Sequence, residues 1–367
     1  MATPSPARSF LGTIGLVFLA IAAIFAVDTF LAGMERKESR IEAARLFKQG
    51  QTLMERGENA QAIGRIRDAI SIERGNRDYP RTLAQAQLAA GETAAAEATL
   101  TDLLQTNSTD GLASLIMARV LVKQGRFTEA VSYFHRAVYG QWDHDAAANR
   151  LRARFELIDL LAVRNSREEL LAELLPIGDQ PPRDLDMRTR LGRLFLLAGS
   201  PARAAVLFRG VLRDAPDNAD AYAGLGQAEF AQSQYRAAQR DFQAALRLAP
   251  DNQAARKSLG LSNELLTLDP MLRGLGQEER FRRSLKLVEL TQGEVGQCAG
   301  PQPAPELQEL LDMASKALKA HVSAARQSDA ADSNLDLAER LWARWKECQP
   351  PPAADSPLAL VMARIAQ

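Results

Sequence analysis

The residues of this chain best suited to covalent chemistry are its two cysteines, Cys298 and Cys348. Zinc sites draw cysteines together at short spacings such as C-x-x-C, whereas these two stand about fifty positions apart. The three histidines, His135, His144 and His321, are scattered, and none belongs to an H-E-x-x-H pattern. No metal site is expected. Gly224-Leu225-Gly226 and Gly274-Leu275-Gly276 begin like dinucleotide loops, but neither follows a strand pattern or carries the third glycine. No nucleophile, base and orienting group cluster anywhere along the chain. The expectation is therefore no catalytic residue, no cofactor and no small-molecule substrate, which leaves a disulfide as the chemistry open to the cysteines.

Charge narrows the partners further. Lys plus Arg number 45 and Asp plus Glu number 45, so no global field recruits nucleic acid, and no nucleic-acid partner is expected. The densest basic stretch, Arg273, Arg280, Arg282, Arg283 and Lys286, reads first as a solvated helix face; contact with anionic lipid or an acidic partner is the other reading. Apolar residues make up 46% of the chain but aromatics only 6%, and Ala and Leu dominate, which favours helix over strand. The fold class expected is all-α.

Residues 10–27 form an uncharged apolar run, FLGTIGLVFLAIAAIFAV, and the apolar character resumes at Phe30. At about 1.5 Å per residue, eighteen helical positions reach roughly 27 Å, close to the thickness of a bilayer core. One transmembrane helix is expected at 10–32 behind a short tail at 1–9, making the lipid bilayer a partner. The run is longer than a signal-peptide core. Met34 stands where a lipoprotein signal needs cysteine. Arg36, Lys37 and Arg40 follow the run and favour a cytosolic body by the positive-inside rule, while a disulfide favours export.

The elements that follow repeat. Gly57, Gly91 and Gly125 close equivalent turns 34 residues apart, each followed by an alanine-rich helix. Two later copies, Leu191-Gly192, Ala204, Phe208, Pro216 and Leu225-Gly226, Ala238, Phe242, Pro250, hold the same spacing. Small residues suit close helix crossings, a bulky one fills the gap between helix pairs, and proline stops the second helix. This pattern resembles the tetratricopeptide repeat (TPR) family. The resemblance implies a right-handed superhelical solenoid of antiparallel A and B helices with a partner-binding groove lined by the A helices. Carried over position by position, the groove falls on Phe47, Gln51, Arg81, Gln85, Leu115, Arg119, Lys123, Thr189, Arg193, Gln227 and Phe230. Phe47 and Gln51 stand where the chaperone-binding subclass needs Lys and Asn, which disfavours chaperone tails as ligands.

The expected layout is repeats one to three at 41–144, a degenerate repeat at 145–184, repeats five and six at 185–252, and a degenerate repeat or cap at 253–292. A linker at 293–304, a C-terminal helical hairpin at 305–348 and a tail at 349–367 complete it. In an antiparallel hairpin the start of one helix meets the end of the other, so a Cys298–Cys348 disulfide is expected there. The function expected is a single-pass, membrane-anchored scaffold on the bacterial inner membrane, its body in the periplasm, holding an extended segment or helix of a protein partner during assembly of an envelope or secretion complex. A cytosol-facing regulator of envelope biosynthesis is the alternative, and an enzyme with a site in the C-terminal helices is the remote one.

Overall fold

The glycines and alanines of the repeats lie where helices meet. The computed structural model describes residues 6–300, 303–348 and 353–366; within 6–32 it describes the helical backbone and the side chains of residues 25 and 29–31 only. The described residues form seventeen α-helices and no strand. The chain divides into two compact units, Met1–Leu161 and Ala162–Gln367.

In the first unit, α1 (Pro6–Glu55), α2 (Asn59–Ile72), α3 (Asp78–Ala89), α4 (Thr93–Thr106), α5 (Gly111–Lys123) and α6 (Phe127–Tyr139) each pack on the next, and α7 (Ala146–Val163) follows. α3 also packs on α1 and on α5, as expected when A helices form one layer and B helices another. A and B are joined by short turns whose pivot is left-handed: Gly57, Gly91 and Gly125 have φ of 78°, 82° and 76°. Only residues without a Cβ adopt that conformation freely. The expected transmembrane segment at 10–32 lies almost wholly outside the described side chains. Among the described residues no helix is long and apolar enough to cross a membrane.

The second unit continues the pattern with α8 (Arg167–Gly178), α9 (Leu185–Leu197), α10 (Pro201–Asp214), α11 (Ala219–Ala231), α12 (Tyr235–Leu248) and α13 (Gln253–Leu268). Asn165 and Ser233, with φ of 55° and 58°, occupy the pivot that Gly199 holds between α9 and α10. Asp184, Asn218 and Asn252 cap α9, α11 and α13, each accepting a backbone N–H from the third residue onward.

Close approach between these helices depends on missing side chains. A Cβ at Gly192 would lie 2.7 Å from Phe208 Cζ, and one at Gly226 would lie 2.7 Å from Phe242 Cε1. Phe208 also rests on Gly224 of α11, so one ring joins two successive pairs. Both rings are fully buried. In the first unit Ile66 sits on Gly50 in the same way.

Beyond α13 the structure departs from expectation. The linker expected at 293–304 begins later, because α14 (Gln277–Ala299) runs through Gly293 to the end of its last turn. The expected hairpin, α15 (Pro305–Lys319) and α16 (Gln327–Trp345), packs on α14 as a three-helix arrangement. Arg280 pairs with Asp332 at 2.6 Å and Asn334 donates to Ser284 at 3.0 Å, so α14 and α16 run parallel. α15 runs against both: Gln292 donates to the Ser315 hydroxyl at 2.7 Å, and Arg344 pairs with Glu306 at 3.1 Å. Cys298 and Cys348 are joined by a disulfide with Cα atoms 5.9 Å apart. It ties the ends of two parallel helices, rather than closing a hairpin. In the expected tail, α17 (Pro357–Ile365) folds back, burying Leu358, Val361 and Met362 in a cluster with Leu265, Leu287 and Trp342.

If the glycine contacts set the helix spacing, Gly192→Ala should lower the free energy of unfolding by about 1–3 kcal/mol through overpacking. Phe208→Leu, which removes ring atoms from that contact, should recover part of the loss in the same chain. Urea unfolding of both variants measures this; additive losses would mean that Gly192 and Phe208 do not share a contact.

Candidate functional site

The expected groove residues separate into two sets according to their register on the A helices. Phe47, Arg81 and Leu115 occupy equivalent positions in α1, α3 and α5, and all three turn inward. Phe47 stacks on Tyr79, ring centroids 4.6 Å apart, and Leu115 is buried in the core. Positions four residues later are turned by only about 40° yet reach solvent. Gln51 is exposed, Gln85 half-buried, Arg119 half-exposed and Lys123 exposed. Arg119 makes a two-pronged ion pair with Glu156, Nε to Oε2 at 2.8 Å and Nη2 to Oε1 at 2.6 Å. In the second unit Thr189 is buried and donates to the Leu185 carbonyl at 2.9 Å. Arg193 and Gln227 are exposed, with Arg193 paired to Asp220 at 2.6 Å. Phe230 is half-buried against Tyr235, ring centroids 5.3 Å apart.

Arg81 corrects the expectation most sharply. Only 6% exposed, it is a structural charge. Its Nε and Nη2 donate to Asp110 Oδ2 at 2.8 and 2.6 Å, and its Nη1 reaches Asp143 at 2.6 Å and Asp78 at 3.0 Å. Asp110 also caps α5, its Oδ1 accepting from the Ala113 N–H at 2.9 Å. The backbone beside it is tied to the loop before α7, Gly111 N–H donating to the Gln141 carbonyl at 2.8 Å. One guanidinium thus fastens the entrances of three successive A helices. Burial opposes its charge, but hydrogen bonds to Asp110 and Asp143 outweigh that and raise its pKa above the ordinary value. The same hydrogen bond and charge hold the Asp143 carboxyl below its usual range. A depressed carboxyl stabilises the fold above its unfolded pKa, and that contribution disappears as pH falls through the folded value.

The second unit holds a carboxyl pair that sequence reading missed. Glu229 of α11 is buried and pairs with Arg209 at 2.9 Å. Burial, then a hydrogen bond with Glu229 and its charge, push Asp241 of α12 up to about 7. Neither residue stands at a groove position, and no local motif marks them.

Two further residues extend the A-helix register. Lys257 and Leu261 of α13 stand 34 residues after Ala223 and Gln227. Lys257 pairs with Asp355 at 3.1 Å, and Leu261 packs against the cluster that contains α17. The accessible face of the second unit is therefore α9 and α11, since the chain's own C-terminal segment engages α13. No metal-ligand cluster occurs among the described residues.

Comparison with known proteins agrees with this helix order. Residues 11–150 match the model of a tetratricopeptide repeat-like domain, and residues 189–235 and 223–266 match that of a tetratricopeptide repeat. No curated protein matches the chain. Among solved structures it is similar to Naa15/Naa10 bound to HypK-THB, at 11% identity over 87% of this chain and 54% of that one, with a TM-score of 0.50. It is similar at 20% identity to YrrB, a TPR protein with an unusual peptide-binding site, over 53% of this chain and 96% of that one, with a TM-score of 0.43. The C-terminal part of a TPR repeat-containing protein from Cytophaga hutchinsonii is 11% identical over 84% of this chain and 97% of that one, with a TM-score of 0.44.

Replacing Arg81 by Met should destabilise the chain by about 3–5 kcal/mol, because Asp110 is left charged and buried. Asp110→Asn in the same background should recover part of this, since Asn still caps α5 without a charge. Thermal unfolding followed by circular dichroism reads both; a neutral Arg81→Met would show that the ionic node carries no stability.

Proposed function

Because the chain belongs to the tetratricopeptide repeat family, whose fold is a protein-interaction scaffold, we propose that it is a membrane-anchored scaffold that displays its repeats outside the cytosol and assembles a cell-envelope or secretion complex. Each unit offers its own accessible A-helix positions to an extended segment or a helix of a partner: Gln51, Gln85, Arg119 and Lys123 in the first, Arg193 and Gln227 in the second. The observation that carries this reading is the split in register. Inward positions lock the helices, while positions four residues on present amides and ion-paired guanidiniums that can exchange partners. Groups held on rigid helices bind with little loss of conformational freedom.

The apolar run at 10–32 supports a bilayer anchor, and the disulfide supports an oxidising compartment, where such bonds persist. Arg36, Lys37 and Arg40 favour the opposite orientation, with the same scaffold facing the cytosol. The reading makes the disulfide the stronger sign, because a loop of about fifty residues closed by it contributes about 4 kcal/mol in the chain-entropy model.

Alkaline phosphatase fused after Gln367 should be active in a bacterial host, and a fluorescent protein that matures only in the cytosol should stay dark there. Crosslinked capture of protein from the native membrane should fall at least tenfold in Arg119→Glu/Arg193→Glu with unfolding unchanged. Reversed reporter signals would place the body in the cytosol, and undiminished capture would remove the groove.

A further inference from the structure

One basic cluster in the second unit stands apart from the A-helix face. Of the basic stretch that begins at Arg273, the members on α14 find partners: Arg280 with Asp332, Arg282 and Arg283 with Glu279, Lys286 with Glu289. Arg273 does not, and it lines a cavity of about 590 Å³ with Arg236 and Arg240 of α12. These three guanidiniums are exposed and make no ion pair among the described residues. A fourth, Arg364 of α17, is held by the buried Asp269 and lies over the Tyr235 ring, 6.0 Å from its centroid. Asp269 also accepts the Met271 N–H at 2.7 Å, which fixes the loop that carries Arg273. Tyr235, Leu266 and Leu272 supply an apolar lining.

We infer that this cavity is a second protein-binding site, which takes an acidic, extended peptide segment with apolar residues between its carboxylates. Guanidinium forks match carboxylates in a two-pronged geometry, and three unpaired ones at one cavity lower the free energy of an anion there. Arg236 and Arg240 are one helical turn apart, about 6 Å along the axis of α12. Carboxylates at alternate positions of an extended chain are about 6.6 Å apart, a near match. Tyr235, Leu266 and Leu272 line the same cavity beside the arginines, where apolar side chains of the segment can pack. A cavity of this size lies within the usual range for ligand sites, roughly 300–1,000 Å³. The inference rests on the scaffold reading but uses none of its groove residues.

The test uses the full chain in detergent and a fluorescein-labelled peptide, Glu-Leu-Glu-Leu-Glu-Leu, followed by fluorescence anisotropy. Binding is expected to weaken with added salt, and to weaken at least tenfold in Arg236→Ala/Arg240→Ala/Arg273→Ala with thermal unfolding unchanged. It should be unaltered in Arg119→Glu/Arg193→Glu, so the groove and the cavity succeed or fail separately. No binding, equal binding of the Lys-Leu-Lys-Leu-Lys-Leu peptide, or undiminished binding by the triple variant would overturn the inference. So would full displacement by millimolar inorganic phosphate, which would reduce the site to a simple anion trap. Loss of phosphatidylglycerol-vesicle binding in the triple variant without any peptide binding would assign the cavity to the membrane instead, and equally overturn it.

Discussion

Packing of an aromatic or branched side chain onto a glycine of the neighbouring helix governs this molecule. Phe208 on Gly192 and Gly224, Phe242 on Gly226 and Ile66 on Gly50 each let two helix backbones approach to a distance that any Cβ would forbid. Interiors are close-packed, so a contact of this kind fixes both spacing and crossing angle. Phe208 bridges two pairs, and the spacing is thereby handed from one repeat to the next. Stability accumulates between neighbours, in the manner of repeat architectures.

Once the helices are locked, the chemistry of each A-helix position follows from its rotation. The positions of Phe47, Arg81 and Leu115 turn inward, and what stands there must be satisfied internally. An apolar side chain manages this by packing. A guanidinium needs carboxylates, which is why Asp78, Asp110 and Asp143 gather from the entrances of three successive A helices around Arg81. Accessible Arg119 and Arg193 also meet acids, but in partial solvent, where such pairs contribute little and separate readily. The same residue type therefore stiffens the fold at one position and stays available for exchange at another.

Much of the fold was legible because its determinants are local. The period of 34, the turn glycines and the small-then-bulky pattern place the repeats, and the left-handed pivot persists at Asn165 and Ser233 where the glycine is gone. The C-terminal region was legible only in part. Helical character at Pro305–Lys319 and Gln327–Trp345 follows from apolar spacing, but their packing on α14 depends on long-range contacts that no period encodes. Gly293 and Gly296 suggested a linker, yet Val295 is buried beside them and holds that stretch helical. The two cysteines pair, and α15 and α16 do form the expected antiparallel hairpin, but the bridge ties the end of α16 to the end of α14, which runs parallel to it. The groove was the least legible element. Family register marks which helix carries it, whereas burial of Arg81 depends on Asp110 and Asp143, residues in other repeats.

The central claim is that the accessible A-helix face binds the partner. Site-specific photocrosslinking in the native membrane tests it most directly, with benzoylphenylalanine placed at Gln85 and Gln227, and at Asp102 and Gln243 as exposed B-helix controls. The account predicts a discrete protein adduct at Gln85 and Gln227 and none at the controls. Adducts at Asp102 or Gln243 alone would contradict it.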